Sequence, residues 1–250
     1  MTNVTSYKEM LAKPWGKIQY EITFAQLSHI KNQNVLDFGA GFCLTEQHLA
    51  KENNVTAIEP NPKLLYDNQS DNIYKILGSY EALRDLPDQS FDTIICHNVL
   101  EYIDKHNHPA YFDEFSRLLK PNGELSLIKH NITGKILQSV IFSNDTSTAM
   151  ELLTGEANFK SASFDQGNIY TLEELKQNTN LLVERYQGIR TFYSLQPNHF
   201  KTETGWLNKM LAIELSVADK APYKDIAFLQ HITLKKLQCL LASKDSPTIT

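Results

Sequence analysis

The sequence predicts an α/β fold, a parallel sheet with helices on both faces, and three observations carry that prediction. From residue 34 to residue 130, short β-rich runs alternate with amphipathic helical runs. The first run ends in a glycine-containing turn that opens a helix, and the second ends on an acid. The alternation breaks after residue 131 and resumes at residue 181 as two more β-rich runs.

At 250 residues the chain suits one such domain with additions, burying ~70–75% of the surface its unfolded form exposes. Lys and Arg total 24 against 29 Asp and Glu, a net charge of −5. No run of basic residues forms a nucleic-acid or anionic-membrane patch. Cys43, Cys96 and Cys239 are odd in number and make no C-x-x-C pair, which argues against a disulfide framework or a zinc site. The chain shows neither the apolar core of a signal peptide nor an 18-residue apolar run. The expectation is a soluble cytoplasmic protein with no membrane or metal partner.

Taken in order, residues 1–16 are a polar arm. Lys17–Lys31 places Ile18, Ile22, Leu27 and Ile30 at helical spacing. Asn34–Phe38 is strand one and Thr45–Lys51 its helix. Asn54–Glu59 is strand two, and Pro60–Asn68 a helix with Pro62 in its first turn. Ile73–Gly78 is strand three, after which Ser79 reads either as a helix N-cap or as a ligand contact. Thr93–His97 is strand four. Ala110–Lys120 is an amphipathic helix with Phe112, Phe115, Leu118 and Leu119 inward, and Lys120-Pro121-Asn122-Gly123 reads as its stop and a turn. Glu124–His130 is strand five.

Residues 131–167 break the rhythm, with short helices at Lys135–Phe142 and Ala149–Leu153 and a loop-like Phe159–Asn168. An insertion here lies at the carboxyl end of the sheet, where open α/β folds bind ligands, and is expected to cap the site. Thr171 and Glu174 form the opening of a further helix. Leu181–Ser194 and Phe228–Lys236 are β-rich and flank a helix at Gly205–Val217; residues 240–250 are a polar tail. With no repeat, linker or low-complexity tract, 1–250 reads as a single domain. It divides into an arm and helix (1–31), a ligand-binding core (32–130), a cap (131–180) and C-terminal strands with their helix (181–240).

The chemistry concentrates at Asn34–Cys43. Gly39 and Gly41 let a ligand lie against bare backbone at the start of a helix. The dinucleotide fingerprint needs a third glycine where Leu44 stands. Asp37, two residues before Gly39, would repel a pyrophosphate and suits a ligand with a positive charge or hydroxyl donors. Glu59 follows Asp37 by 22 positions, close to the ~20 residues at which an acid meets a ribose in nucleotide-binding βαβ units. A carboxylate accepts both hydrogen bonds of a cis-diol.

These residues resemble the class I S-adenosylmethionine-dependent methyltransferases. Asp37, Gly39 and Gly41 match the first motif of that family and Glu59 its second-strand acid. Ser90-Phe91-Asp92, with Asn98-Val99-Leu100-Glu101-Tyr102, is similar to its fourth motif. The resemblance implies a Rossmann-like sheet of seven strands, mostly parallel with the last strand antiparallel, with helices on both faces and a small helical cap after strand five. It also implies S-adenosyl-L-methionine as cofactor and S-adenosyl-L-homocysteine as product. Cofactor-binding residues would be Asp37, Gly39, Ala40, Gly41, Glu59, Pro60, Ser79, Tyr80, His97 and Asn98, with Ser79 replacing an acid that relatives place beside the adenine. The look is closer to the bacterial family of the tRNA 5-carboxymethoxyuridine methyltransferase, through His97–Tyr102, Leu125-Ser126-Leu127, Gly188–Phe192, and the stretch from Ile213-Glu214-Leu215 to His231-Ile232-Thr233. Charge does not favour tRNA: residues 155–170 hold one Lys, and none follows Phe192 until Lys201. The expected acceptor is therefore a small molecule or a modified nucleoside, with tRNA the runner-up.

In-line methyl transfer asks the protein chiefly to align two groups and exclude water. If the nucleophile must lose a proton, His97 and Glu101 are the candidate catalytic residues. Tyr20, His130, Arg190 and Tyr193 are the candidate substrate residues. A carboxylate acceptor would need donors such as Arg190, Tyr193 or Lys129, and Lys17 or Tyr20 on the arm would reach the cofactor's carboxylate. His106-x-His108 reads as a solvated turn rather than a metal pair. Two other classes compete: a non-catalytic protein that keeps the pocket, and a nicotinamide dehydrogenase, which Leu44 and Asp37 disfavour.

Overall fold

The computed structural model describes residues 8–9, 11–67, 69–155, 158–160 and 166–237, and of residues 158–160 and 166 only the backbone. Helix α1 (Pro14–Gln26) leads into strand β1 (Asn34–Phe38) and helix α2 (Leu44–Leu49). Then follow β2 (Asn54–Glu59), α3 (Pro62–Leu65), β3 (Ile73–Leu77), α4 (Tyr80–Arg84) and β4 (Phe91–His97). Two 3-10 turns, Leu100–Tyr102 and Lys105–Asn107, precede α5 (His108–Leu118) and β5 (Leu119–His130).

The insertion holds α6 (Ile132–Leu137), which runs into a π-helical turn at Gln138–Phe142, and α7 (Thr146–Leu153). Strands β6 (Asn158–Lys160) and β7 (Gln166–Asn168) pair antiparallel where the sequence suggests a loop; a register of three residue pairs is enough to close them. After these come α8 (Leu172–Gln177), β8 (Leu182–Ile189), α9 (Trp206–Val217), α10 (Tyr223–Ile226) and β9 (Leu229–Lys235). The expected polar tail lies outside the described residues.

Seven strands form the main sheet in the order β3-β2-β1-β4-β5-β9-β8. The pairs from β3 to β5 are all parallel, and β9 runs antiparallel to both β5 and β8. Residues alternate between the faces, as strand geometry requires. Leu36, Ile58 and Ile94 pack with Leu83 of α4, Phe112 and Phe115 of α5 and Leu175 of α8. Val35, Val55 and Ile95 face Leu27, Leu49 of α2 and Leu65 of α3. Ile128, Ile189 and Leu229 extend that second face against Ile18 and Ile22 of α1 and Met210 of α9. Thr171 and Glu174 close the reciprocal capping box that opens α8.

Strand five differs from the sequence expectation. Lys120-Pro121-Asn122-Gly123 is not a stop and a turn; β5 runs straight through it. Asn122 takes φ +64, and the register against β4 shifts between Phe91 and Thr93, as at a bulge. Pairing continues because the Asn122 amide donates to the Lys236 carbonyl and the Lys236 amide to Gly123, each at 3.0 Å.

The insertion is stitched to the approach of β9. Asn131 Nδ2 donates to the carbonyls of Asp225 (2.7 Å) and Ala227 (2.9 Å), and a Cβ at Gly134 would come within 2.2 Å of the Ala227 oxygen. Helix α6 therefore lies backbone to backbone on the Ala227–Phe228 segment. Gly134→Ala is expected to destabilise the fold by ~1–3 kcal/mol through overpacking, read as a lowered urea midpoint at unchanged m-value.

Candidate functional site

A cavity of about 850 Å3 opens at the carboxyl ends of β1, β2, β4 and β5 and at the turn after β8. Its floor is the glycine bend. Gly39 (φ +85) and Gly41 (φ +54) both lie in the left-handed region. A Cβ on Gly39 would strike Val99 at 2.3 Å, whereas one on Gly41 would meet nothing within 4 Å, so space lies open above the bend there. The amides of Gly39 and Ala40 both donate to the Ile58 carbonyl, at 2.8 and 3.1 Å, and tie the bend to β2.

Glu59 ends β2 beside this bend, buried yet on the cavity wall. Its carboxylate accepts from the Gly41 amide at 3.0 Å and the Asn61 amide at 2.9 Å. Each oxygen keeps a further lone pair, enough to receive the two hydroxyls of a diol. Asp37 lies on the wall, 4% exposed, with buried Glu46 of α2 behind it. The Glu46 carboxyl faces that of Asp37 closely enough for the two to share a proton. Burial and the neighbouring carboxylates hold both acids above the usual carboxylate range.

Between the two ends of the cavity stands His97 at the tip of β4, half-buried and on the wall. Its Nε2 lies 2.8 Å from Ser126 Oγ, which lies 2.7 Å from His231 Nε2; His231 Nδ1 lies 2.7 Å from Gln26 Oε1. Gln26 Nε2 donates to the Gly188 carbonyl at 3.0 Å. The sense of this chain follows from its last member, because a carbonyl only accepts. Gln26 thus offers its oxygen to His231, which carries its proton on Nδ1 and accepts from the Ser126 hydroxyl. Ser126 in turn accepts from His97 Nε2–H. Burial holds His97 well below the usual imidazole value and takes His231 down to about 3, so both rings are neutral and the pattern is self-consistent. His97 is left with the lone pair of Nδ1. Next to it, Asn98 (φ +57) carries a buried Oδ1 with no hydrogen-bond partner and also lines the cavity.

At the far end, His130, Arg190 and Tyr193 line the cavity; Tyr20 of α1 also lines it, its ring 5.7 Å from Phe24, which stacks on His48 of α2. Arg190 sits at φ +63, just ahead of a turn pinned by Glu214 of α9. That carboxylate accepts from the amides of Thr191 (2.7 Å), Phe192 (2.8 Å) and Tyr193 (2.7 Å).

Glu101 is not on the cavity wall. The 3-10 turn points it inward, where its carboxylate accepts from the His130 amide at 2.6 Å and holds His130 Nδ1 at 2.8 Å. It orients a wall residue rather than meeting a ligand. Tyr80 is also off the wall, because its ring packs on Tyr111 at 4.7 Å and under Arg84 at 4.9 Å; Tyr111 lines the cavity instead. Ser79 lines the cavity and makes no capping bond. Lys17 borders a separate surface groove. Lys129 is buried with its Nζ on the His130 carbonyl. His106 meets Asp104, while His108 is buried against the carbonyls of Leu100 and Ile103. Among the described residues no group of His, Cys, Asp and Glu suits a metal ion, and no helix is long and apolar enough to cross a membrane. Trp15, Ser194, Lys201 and, from the insertion, Gln138 and Phe142 join the wall without any sequence motif announcing them.

The sheet order is that of the class I methyltransferase fold. Residues 36–127 match the family model described as "Methyltransferase domain". A chain from a complex containing the Haloferax volcanii Trm112 methyltransferase activator superimposes with a TM-score of 0.61 at 14% identity, over 94% of each chain. An S-adenosylmethionine-dependent methyltransferase from Mesorhizobium loti gives 0.56 at 12% identity, over 88% of this chain and 98% of that one. The 1,6-didemethyltoxoflavin-N1-methyltransferase of Burkholderia thailandensis, solved with its acceptor and S-adenosylhomocysteine, gives 0.54 at 12% identity, over 88% and 79%. At these identities the likeness is one of fold. No curated protein matches the sequence.

The hydrogen-bond chain from Gly188 fixes one tautomer. Nitrogen-15 spectra of histidine-labelled protein are expected to show His97 neutral with its proton on Nε2 at pH 6. In Ser126→Ala the ring is expected to sample both tautomers.

Proposed function

We propose that this protein is an S-adenosyl-L-methionine-dependent methyltransferase whose acceptor is a small molecule or a modified nucleoside. The observation that carries the reading is the pairing of an open glycine bend with two buried acids, Asp37 and Glu59, on neighbouring strand tips. The donor set fits the cofactor. Glu59 has lone pairs left for a ribose diol, and Asp37 with the unpartnered Asn98 Oδ1 suits an amino-acid ammonium. Open space above Gly41 leaves room for the ligand against the backbone. When bound, the cofactor supplies an activated methyl group for in-line displacement. The match of residues 36–127 to the methyltransferase domain supports the same reading.

The chain's own residues then orient and shield. Glu59 and Asp37 hold the two ends of the cofactor, and Phe142 with Gln138 closes the cavity from the insertion. His97 Nδ1, kept neutral and unprotonated, accepts a hydrogen bond from a nucleophile that bears a proton. His130, fixed by Glu101, shapes the acceptor side. Transfer to a tRNA wobble-uridine carboxyl group is the second reading; it rests only on the short motif likenesses at His97–Tyr102 and Gly188–Phe192, with no curated match behind it.

Asp37 and Glu46 hold a proton to higher pH than free carboxyls do, whereas a cationic ligand favours the charged form of Asp37. Affinity for S-adenosylmethionine is therefore expected to rise several-fold from pH 5.5 to pH 8, measured calorimetrically. Asp37→Asn should flatten that profile, and Asp37→Asn or Glu59→Ala should weaken binding at pH 8 by ~1–3 kcal/mol. Unchanged affinity in both variants would show the pocket to be misplaced. Labelled-methyl transfer to a small-metabolite extract is the expected activity, and label appearing only in bulk tRNA would replace it with the wobble-uridine reading.

A further inference from the structure

The end of the cavity opposite the acids is basic, and its nearest carboxylate, Glu214, acts on Arg190 only from beyond ion-pair distance. Arg190 is 7% exposed. Its Nη1 donates to Gln19 Oε1 at 3.1 Å, and its Nε has no hydrogen-bond partner. Among the described residues it enters no ion pair with a carboxylate. Glu214, the acid packed below the same turn, has both oxygens committed to three amides. Ser194, four residues on, buries an Oγ that likewise has no partner and also lines the cavity.

The walls here are flat and apolar. The Arg190 guanidinium lies 4.7 Å from the Phe228 ring, 5.4 Å from Trp15 and 5.6 Å from Tyr193. Lys201 Nζ lies 4.3 Å from the Tyr193 ring. Burial takes Arg190 down only to about 10, so it keeps its charge at neutral pH. A buried cation with no carboxylate in direct contact is costly to hold, and an anion entering this end of the cavity would relieve that cost while its body stacks on the rings.

We propose that this pocket anchors the methyl acceptor, which is a small organic molecule with a carboxylate on a ring-sized apolar body, the carboxylate taken by Arg190, Ser194 and Lys201. The proposal rests on the methyltransferase reading above and names its substrate class. A carboxylate also ends the cofactor's amino-acid arm, so the source must be decided. Sheet order favours the acceptor. The backbone of Arg190 follows β8, three strand spacings or about 14 Å beyond the β4 backbone that carries His97 and Asn98, and its guanidinium lies against Phe228 and Trp15 rather than against β4.

The test uses the full chain saturated with S-adenosylhomocysteine and titrated with benzoate, benzamide or inorganic phosphate. Binding is followed by calorimetry and by tryptophan fluorescence, since Trp15 faces Arg190 and Trp206 lies 5.8 Å from Tyr193. Benzoate is expected to bind, and to bind at least tenfold more weakly to Arg190→Met. Benzamide is expected to bind neither protein, and S-adenosylhomocysteine affinity to stay within twofold. Lys201→Met, at a half-buried position, should weaken benzoate three- to tenfold, and it carries the test if Arg190→Met does not fold. Benzoate binding that is absent, or indifferent to both substitutions, overturns the proposal. So does phosphate binding as tight as benzoate, which would leave no role for the rings. A tenfold loss of S-adenosylhomocysteine affinity in Arg190→Met overturns it too, assigning the pocket to the cofactor's own carboxylate. If the unaltered protein binds benzoate but no S-adenosylhomocysteine, the methyltransferase reading has failed and the anchor has not.

Discussion

The interaction on which this architecture turns is one carboxylate, Glu59, spanning two turns. It takes the Gly41 amide from the bend after β1 and the Asn61 amide from the start of α3, so the ends of two adjacent strands share one acceptor. A buried carboxylate is held in place by such donors and keeps them in place in return. The bend cannot relax away from β2 while the Gly39 and Ala40 amides also rest on Ile58. Everything a ligand meets at this end, from the open backbone at Gly41 to Asp37, is positioned by that arrangement.

The cavity is polarised along the sheet. Acids gather over β1 and β2, and cations gather beyond β8. Between them stands a neutral histidine whose protonation pattern is set from within the fold, through Ser126, His231 and Gln26, by a backbone carbonyl of β8. The polar interior of the sheet thus couples the strand at one side of the cavity to the residue at its middle. The apolar faces above and below only need to keep that line dry.

Local signals made the acidic half legible in the sequence, and their lack hid the basic half. Strands β1 and β2 fall where the apolar runs place them, residue for residue, because each is short, buried and ended by a turn or an acid. Asp37, Gly39, Gly41 and Glu59 act within one βαβ unit, so spacing alone brings them together. Trp15, Tyr111 and Lys201 reach the wall from segments far apart in the chain, and no short-range pattern marks them. The Asn-Gly turn misread at residues 122–123 has a similar cause: two flanking strands offered pairing partners, and their hydrogen bonds outweighed the local turn preference. Glu101 deceived by type rather than position, since a carboxylate beside a pocket looks the same in sequence whether it faces the pocket or props up the residue that does.

Strand β8 has a single neighbour in the sheet, and that neighbour is β9, the last of the described strands. Until residues 229–235 insert between β5 and β8, the turn carrying Arg190 has no sheet to hang from. The acidic end of the cavity, by contrast, is built within residues 34–98, whose strands pair with one another. The turn that carries Arg190 is therefore held in place only once the chain has been made at least as far as residue 235.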